Sequence, residues 1–227
     1  MRYIIQIDTA TEVCSVSLSR EGITLDHIQS SEPNMHASRL TSYVEQILFQ
    51  NSLKFSDISA VAVSMGPGSY TGLRIGVSTA KGLCYALDIP LIGINTLESM
   101  FNGLVNKVIL QEGSLYFPMI DARRMEVYTM AFDEDGKQVL PTQAKIIDEL
   151  SFAEFHLKEA FLFGSGANKF QDLFRANPQV HIISQFQHSS AHMSALAWKR
   201  FEAHEVENLI YFEPYYLKEF VASKPKR

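Results

Sequence analysis

The chain has 227 residues, enough for one large or two small domains, and its 46% hydrophobic and 20% charged residues describe a globular protein and exclude a disordered one. A formal net charge of −5 argues against a chain that grips a nucleic-acid backbone unaided; if RNA is involved, another subunit supplies most of the positive charge. Cys14 and Cys84 lie far apart and outside any C-x-x-C, which argues for two buried thiols in the cytosol rather than a disulfide framework or a thiolate zinc site.

No stretch reaches the ~18 apolar residues of a membrane span, and the N-terminus turns polar too soon for a signal peptide. In chain order, residues 3–7 form an apolar run ending at Asp8, a buried strand. Cys14, Val16 and Leu18 alternate with serines at period two, and Glu21-Gly22 turns into a third strand over 23–28. Leu40, Val44, Ile47 and Leu48 fall at helical spacing, ending near Asn51-Ser52. A strand over 60–65, a glycine turn, a helix to Leu87, a strand over 90–94 and a helix over 96–106 complete the first half. The second half repeats the order: strands at 115–120, 126–132 and 144–147, a helix over 148–157, a strand at 161–163, a helix over 166–176, a strand at 180–183 and a helix over 190–204. Each half therefore reads β-β-β-α-β-α-β-α, an α/β arrangement of two mixed sheets, with a boundary that assigns 1–108 and 109–220 to two domains and 221–227 to a basic, disordered tail.

The most specific segment is 66–76, GPGSYTGLRIG. Gly66-Pro67-Gly68 enforces a tight turn and Ser69 caps the next helix, a geometry able to receive an anion. The Lys-Ser/Thr ending of a P-loop is missing, however, and the glycine spacing is not G-x-G-x-x-G. Within the helix, Gly72, Gly76, Ala80 and Cys84 recur every four residues, a stripe that admits close approach either inside the fold or at a subunit interface.

GPGSYTGLRIGVSTAKGL resembles the signature of the TsaB (YeaZ) family of tRNA threonylcarbamoyladenosine biosynthesis proteins. Asp8-Thr9-Ala10, 36–40 (HASRL), 121–128 (DARRMEVY), 164–167 (GSGA) and 213–218 (EPYYLK) resemble further motifs of that family, so the likeness runs through the whole chain. It implies the actin-like/sugar-kinase superfamily fold with two βββαβαβα-type domains. It also implies a cytoplasmic, non-catalytic scaffold that works with a metal-binding catalytic paralogue of the TsaD type and a small ATPase of the TsaE type. Together these place a threonylcarbamoyl group on the adenosine next to the anticodon of tRNAs reading A-starting codons. This chain would meet tRNA only through the complex, and would form a homodimer when alone. On this reading Gly72, Leu73, Gly76, Val77, Ala80 and Cys84 make the partner interface, together with the helix over 37–51.

Where the catalytic paralogue carries a His-x-x-x-His metal pair, the resemblance places Thr96 and Met100, neither a ligand for iron or zinc, so no metal, cofactor or catalytic residue is expected here. His188 and His192 are four apart but lack a third ligand. Asp8, Gly164 and Gly166 are the candidate nucleotide contacts, for a nucleotide at a subunit junction. Asp8 is followed by Thr9-Ala10 rather than glycine, which favours a hairpin residue bonding its own turn. Asp121, Arg123, Arg124 and Glu126 form a compact charged group read as ion pairing or partner contact. The alternative function is an ATP-dependent kinase or ATPase of the same superfamily.

Overall fold

The computed structural model describes residues 1–32, 36–155 and 158–218; the basic tail expected at 221–227 lies outside the described residues. The first sheet takes β1 (Tyr3–Asp8), β2 (Cys14–Arg20), β3 (Ile23–Ser30), β4 (Ile58–Gly66) and β5 (Leu91–Asn95) in the order β3-β2-β1-β4-β5. β1–β2–β3 are antiparallel, whereas β4 and β5 join in parallel through helical crossovers, α1 (His36–Gln50) entering β4 and α2 (Tyr70–Leu87) entering β5. The second sheet repeats this with β6 (Ser114–Asp121), β7 (Glu126–Asp133), β8 (Gln138–Ile146), β9 (Glu159–Phe163) and β10 (Val180–Ile183), in the order β10-β9-β6-β7-β8. This is the two-sheet α/β architecture that the element order implied.

Period two sorts each strand between two apolar layers. Ile5, Ile7, Val61 and Val63 point to the layer shared with Leu40, Val44 and Ile47 of α1 and Val77 and Ala80 of α2. Ile4, Ala60, Ala62, Ile92 and Ile94 point the other way, onto Met193 and onto Ala197 of α4 (Ser194–Glu202). On the second sheet, Tyr116, Ile120 and Phe163 pack against Leu97, Met100, Phe101 and Leu104 of α3 (Thr96–Val105). The inner face of each sheet is thus covered by a helix that the other half of the sequence supplies. Arg200 ties α4 down, donating to the Gly93 carbonyl and pairing with Glu98 at 2.7 Å.

Two expected helices shrink. Within 148–157 the described residues make turns and a 3₁₀ segment, Ala153–Phe155, and within 166–176 only Asn168–Phe170 is 3₁₀. The apolar spacing there is real, since Phe152, Phe170 and Phe174 are buried in one cluster with Phe117, but single turns supply it. The helix expected over 190–204 opens as a 3₁₀ turn, Ser190–Met193, before α4.

Candidate functional site

The glycine turn joins the buried end of β4 to α2. Ser69 caps α2, its side chain accepting from Gly72 N at 3.2 Å, and its own N–H donates to the Ala10 carbonyl at 2.7 Å. That carbonyl belongs to the β1–β2 connection, which the turn and the first two turns of α2 hold in a seat of glycine. A Cβ on Gly68 would stand 2.3 Å from Ala10 O, one on Gly72 2.0 Å from Thr9 O, and one on Gly76 2.3 Å from the Thr9 hydroxyl. The hydroxyl donates to the Gly72 carbonyl at 2.7 Å.

This corrects the expected partner interface. Gly72, Leu73, Gly76, Val77, Ala80 and Cys84 are all buried in the isolated chain, against its own strands and the Thr9-Ala10 turn. The small-residue stripe is an internal packing face. What α2 shows to solvent is Thr71, Arg74, Ser78, Gly82, Tyr85 and Ala86, and Phe49 stands out from α1; Phe49 and Tyr85 are 85% and 82% exposed.

Asp8 is fully buried. One carboxylate oxygen accepts from Ala10 N at 3.0 Å, the hairpin role favoured by the sequence, and the other meets His188 Nε2 at 2.6 Å. His188 precedes the 3₁₀ turn that docks α4, where Ser190 Oγ meets Ser15 Oγ at 2.8 Å and Ser194 Oγ meets Thr24 Oγ1 at 2.8 Å. The ring of His192 lies 6.2 Å from that of His188, and burial, with His188 and Lys107 adding to it, pushes its pKa down to about 3, so it is neutral. Among the described residues no group of three or more His, Cys, Asp or Glu is placed to hold a metal ion. Burial raises the Cys14 thiol, with Asp8 adding to the effect, to about 11, and the Cys84 thiol to about 12.

Gly164 and Gly166 lie after β9 in the second half. Gly164, at φ 99°, backs onto the Met119 carbonyl and the Met100 methyl, and Gly166 N donates to Met119 O at 3.0 Å. Their close approaches are to this chain's own β6, β7 and α3. Thr96 shares a 2.7 Å hydrogen bond with Ser64, and Met100 lies in the core. The two carboxylates of the charged group at the β6–β7 hairpin are paired with lysines from elsewhere: Lys169 bridges Asp121 at 2.5 Å and the Glu126 carbonyl at 2.6 Å, and Lys218 pairs with Glu126. Sequence reasoning did not bring Asp8 and His188 together, and nothing local in the sequence signals a pair separated by 180 positions.

The family model of tRNA N6-adenosine threonylcarbamoyltransferase matches residues 30–224. Over 132 residues, 58% of this chain, the sequence is 39% identical to the tRNA threonylcarbamoyladenosine biosynthesis protein TsaB of Escherichia coli K12, a match that spans just over half, 55%, of that relative. A crystal structure from Pseudomonas aeruginosa, of a protein described as similar to peptidase YEAZ, superposes with a TM-score of 0.76 at 25% identity, covering 96% of this chain and all of the other. A polyphosphate/ATP-glucomannokinase from Arthrobacter shares the fold alone, with a TM-score of 0.51 at 9% identity over 88% of this chain and 99% of the kinase. With its glycine signature, two sheets of the same order and near-complete superposition on a YeaZ structure, the chain belongs to the TsaB (YeaZ) family of tRNA threonylcarbamoyladenosine biosynthesis proteins.

Proposed function

We propose that this chain is the non-catalytic subunit of a tRNA threonylcarbamoyltransferase assembly in the cytoplasm. It acts beside a metal-binding paralogue of the TsaD type and a small ATPase of the TsaE type, on the adenosine next to the anticodon of tRNAs reading A-starting codons. The observation that carries this reading is the state of Thr96 and Met100. The resemblance puts them where the paralogue holds its metal histidines, and here one is tied to Ser64 and the other is packed between α3 and the second sheet. Side chains committed to the core leave this chain a surface to contribute.

The surface lies in the half formed by 1–108, on the outer faces of α1 and α2, where Phe49 and Tyr85 are the large exposed apolar side chains. The same face supports self-association when the paralogue is missing. The test reconstitutes threonylcarbamoyl transfer while leaving out one component at a time. Transfer should require this chain, and the chain alone should give none. Transfer without it, or by it alone, refutes the reading. In parallel, Phe49→Glu/Tyr85→Glu should abolish co-purification with the paralogue while preserving the thermal transition; unchanged co-purification refutes the face.

A kinase or ATPase reading has the fold in its favour, but the glycine turn is seated on Thr9 and Ala10 and both Asp8 oxygens are engaged. Calorimetry with ATP and magnesium tests it, and tight binding with turnover would replace the scaffold reading.

A further inference from the structure

The stretch 205–216, after α4, is neither helix nor strand, yet it is pinned to the first half along its length. The Glu207 N–H donates to the Leu91 carbonyl of β5 at 2.8 Å, and the Tyr215 N–H to the Met65 carbonyl of β4 at 2.7 Å. Between these points Lys81 of α2 donates to the carbonyls of Ile210 at 3.2 Å and Phe212 at 2.9 Å. The Phe212 ring is buried in the apolar layer that holds Val77, Ala80 and Cys84 of α2. The Asn208 side-chain oxygen closes the turn, accepting from the N–H groups of Ile210 at 3.0 Å and Tyr211 at 3.2 Å.

This fixed turn holds two large apolar side chains out to solvent, Ile210 and Tyr211, 77% and 78% exposed. Apolar groups already held in place lose little freedom when a partner covers them. The display adjoins the outer face of α2, because the lysine that grips the turn lies one helical turn before Tyr85.

Charge says what kind of surface covers it. Glu205 and Glu213 flank the turn and are exposed, Glu207 lies between them, and none of the three makes an ion pair with another described residue. Lys81 is spent on the two carbonyls. Two copies meeting through this turn about a two-fold axis would bring these carboxylates onto one another, and an RNA backbone would be repelled by them. A protein surface with a basic rim is favoured. With a net charge of −5 on this chain, the positive charge that a tRNA-modifying assembly needs resides in its other subunits.

We propose that the turn at 208–212 is a second docking element for the paralogue, a step that rests on the scaffold reading above and extends its face past Tyr85. Ile210 and Tyr211 enter an apolar surface with a basic rim, and Glu205 and Glu213 select that partner over a second copy of this chain.

The test measures binding of the full chain to the paralogue by surface plasmon resonance at low and high salt, with self-association followed by analytical ultracentrifugation. Ile210→Ser/Tyr211→Ser should weaken binding about tenfold or more, mostly through faster dissociation. Its melting temperature should stay within about 2 °C of the parent, because neither side chain is packed on the fold. Glu205→Gln/Glu213→Gln should slow association about threefold at low salt, lose that effect at high salt, and leave self-association unchanged or stronger. Unchanged paralogue affinity in the serine variant, an unchanged association rate in the glutamine variant, or self-association lost in step with paralogue binding would overturn the proposal. Phe49→Glu/Tyr85→Glu, run alongside, separates the readings. Binding lost there but intact in the serine variant removes this turn and leaves the helical face standing, and a parent chain that binds no paralogue overturns both.

Discussion

Two glycines of α2, ten residues apart, should respond to the same substitution with opposite signs. In Gly72→Ala the new methyl would stand 2.0 Å from the Thr9 carbonyl oxygen, and reaching the 3.4 Å of ordinary contact needs a shift of about 1.4 Å between the helix and a turn anchored on β1. Such overpacking costs about 1–3 kcal/mol. The shift also breaks the buried bond from the Thr9 hydroxyl to the Gly72 carbonyl, worth about 1–3 kcal/mol when a buried partner is left unsatisfied. Alanine's better helix propensity returns about 1 kcal/mol. The net is a loss of about 3 kcal/mol, or a fall in melting temperature of about 6–12 °C for a chain of this size. At Gly82 the same methyl meets nothing within 4 Å, so Gly82→Ala should gain about 0.8–1 kcal/mol. Urea denaturation of the two variants beside the parent measures both differences. If Gly72→Ala unfolds within about 0.5 kcal/mol of the parent, or if both variants shift the same way, the stripe is not the internal seat described here.

Breaking the buried pair in Asp8→Ala or His188→Ala should destabilise by about 3–5 kcal/mol, because each leaves a buried partner uncompensated, and a double-mutant cycle should show strong coupling between them. His192 stays neutral in the fold down to about pH 3 against an ordinary 6.5, so the unfolded chain binds a proton there that the native chain does not. Its contribution is complete above pH 6.5 and falls by up to about 1.4 kcal/mol per pH unit from there down to pH 3; a denaturation series against pH should be shallower by one proton in His192→Asn. With their thiols raised to about 11 and 12, Cys14 and Cys84 should resist iodoacetamide at neutral pH in the folded chain and react once urea unfolds it, which mass spectrometry reads directly.

The first half was legible almost element by element because its signals are local: alternating serines in β2, the apolar run over 60–63 in β4, a capping Ser69. The second half misled where phenylalanines three and four apart imitate a helix. Phe152 and Phe155, or Phe170 and Phe174, reach the same core from isolated turns, and period alone cannot separate one turn from three. The stripe on α2 was visible as a stripe, but its direction was not. What decides it is Thr9, 63 positions upstream of Gly72, and a helix-face pattern carries no record of which distant turn will fill it. The exchange of α3 and α4 between the sheets was illegible for the same reason, since amphipathicity states that a face is buried and not against what.

The glycine turn shows what that gap does to a functional reading. A tight turn opening a helix offers free N–H groups to an anion only while nothing else takes them. Here Ser69 N is spent on the Ala10 carbonyl, Gly72 N on the Ser69 hydroxyl and Leu73 N on the Ser69 carbonyl. The space beyond is walled by the carbonyl oxygens of Thr9 and Ala10, dipoles whose negative ends would face an incoming phosphate. The sequence feature that most resembles an anion cradle is therefore an intramolecular joint.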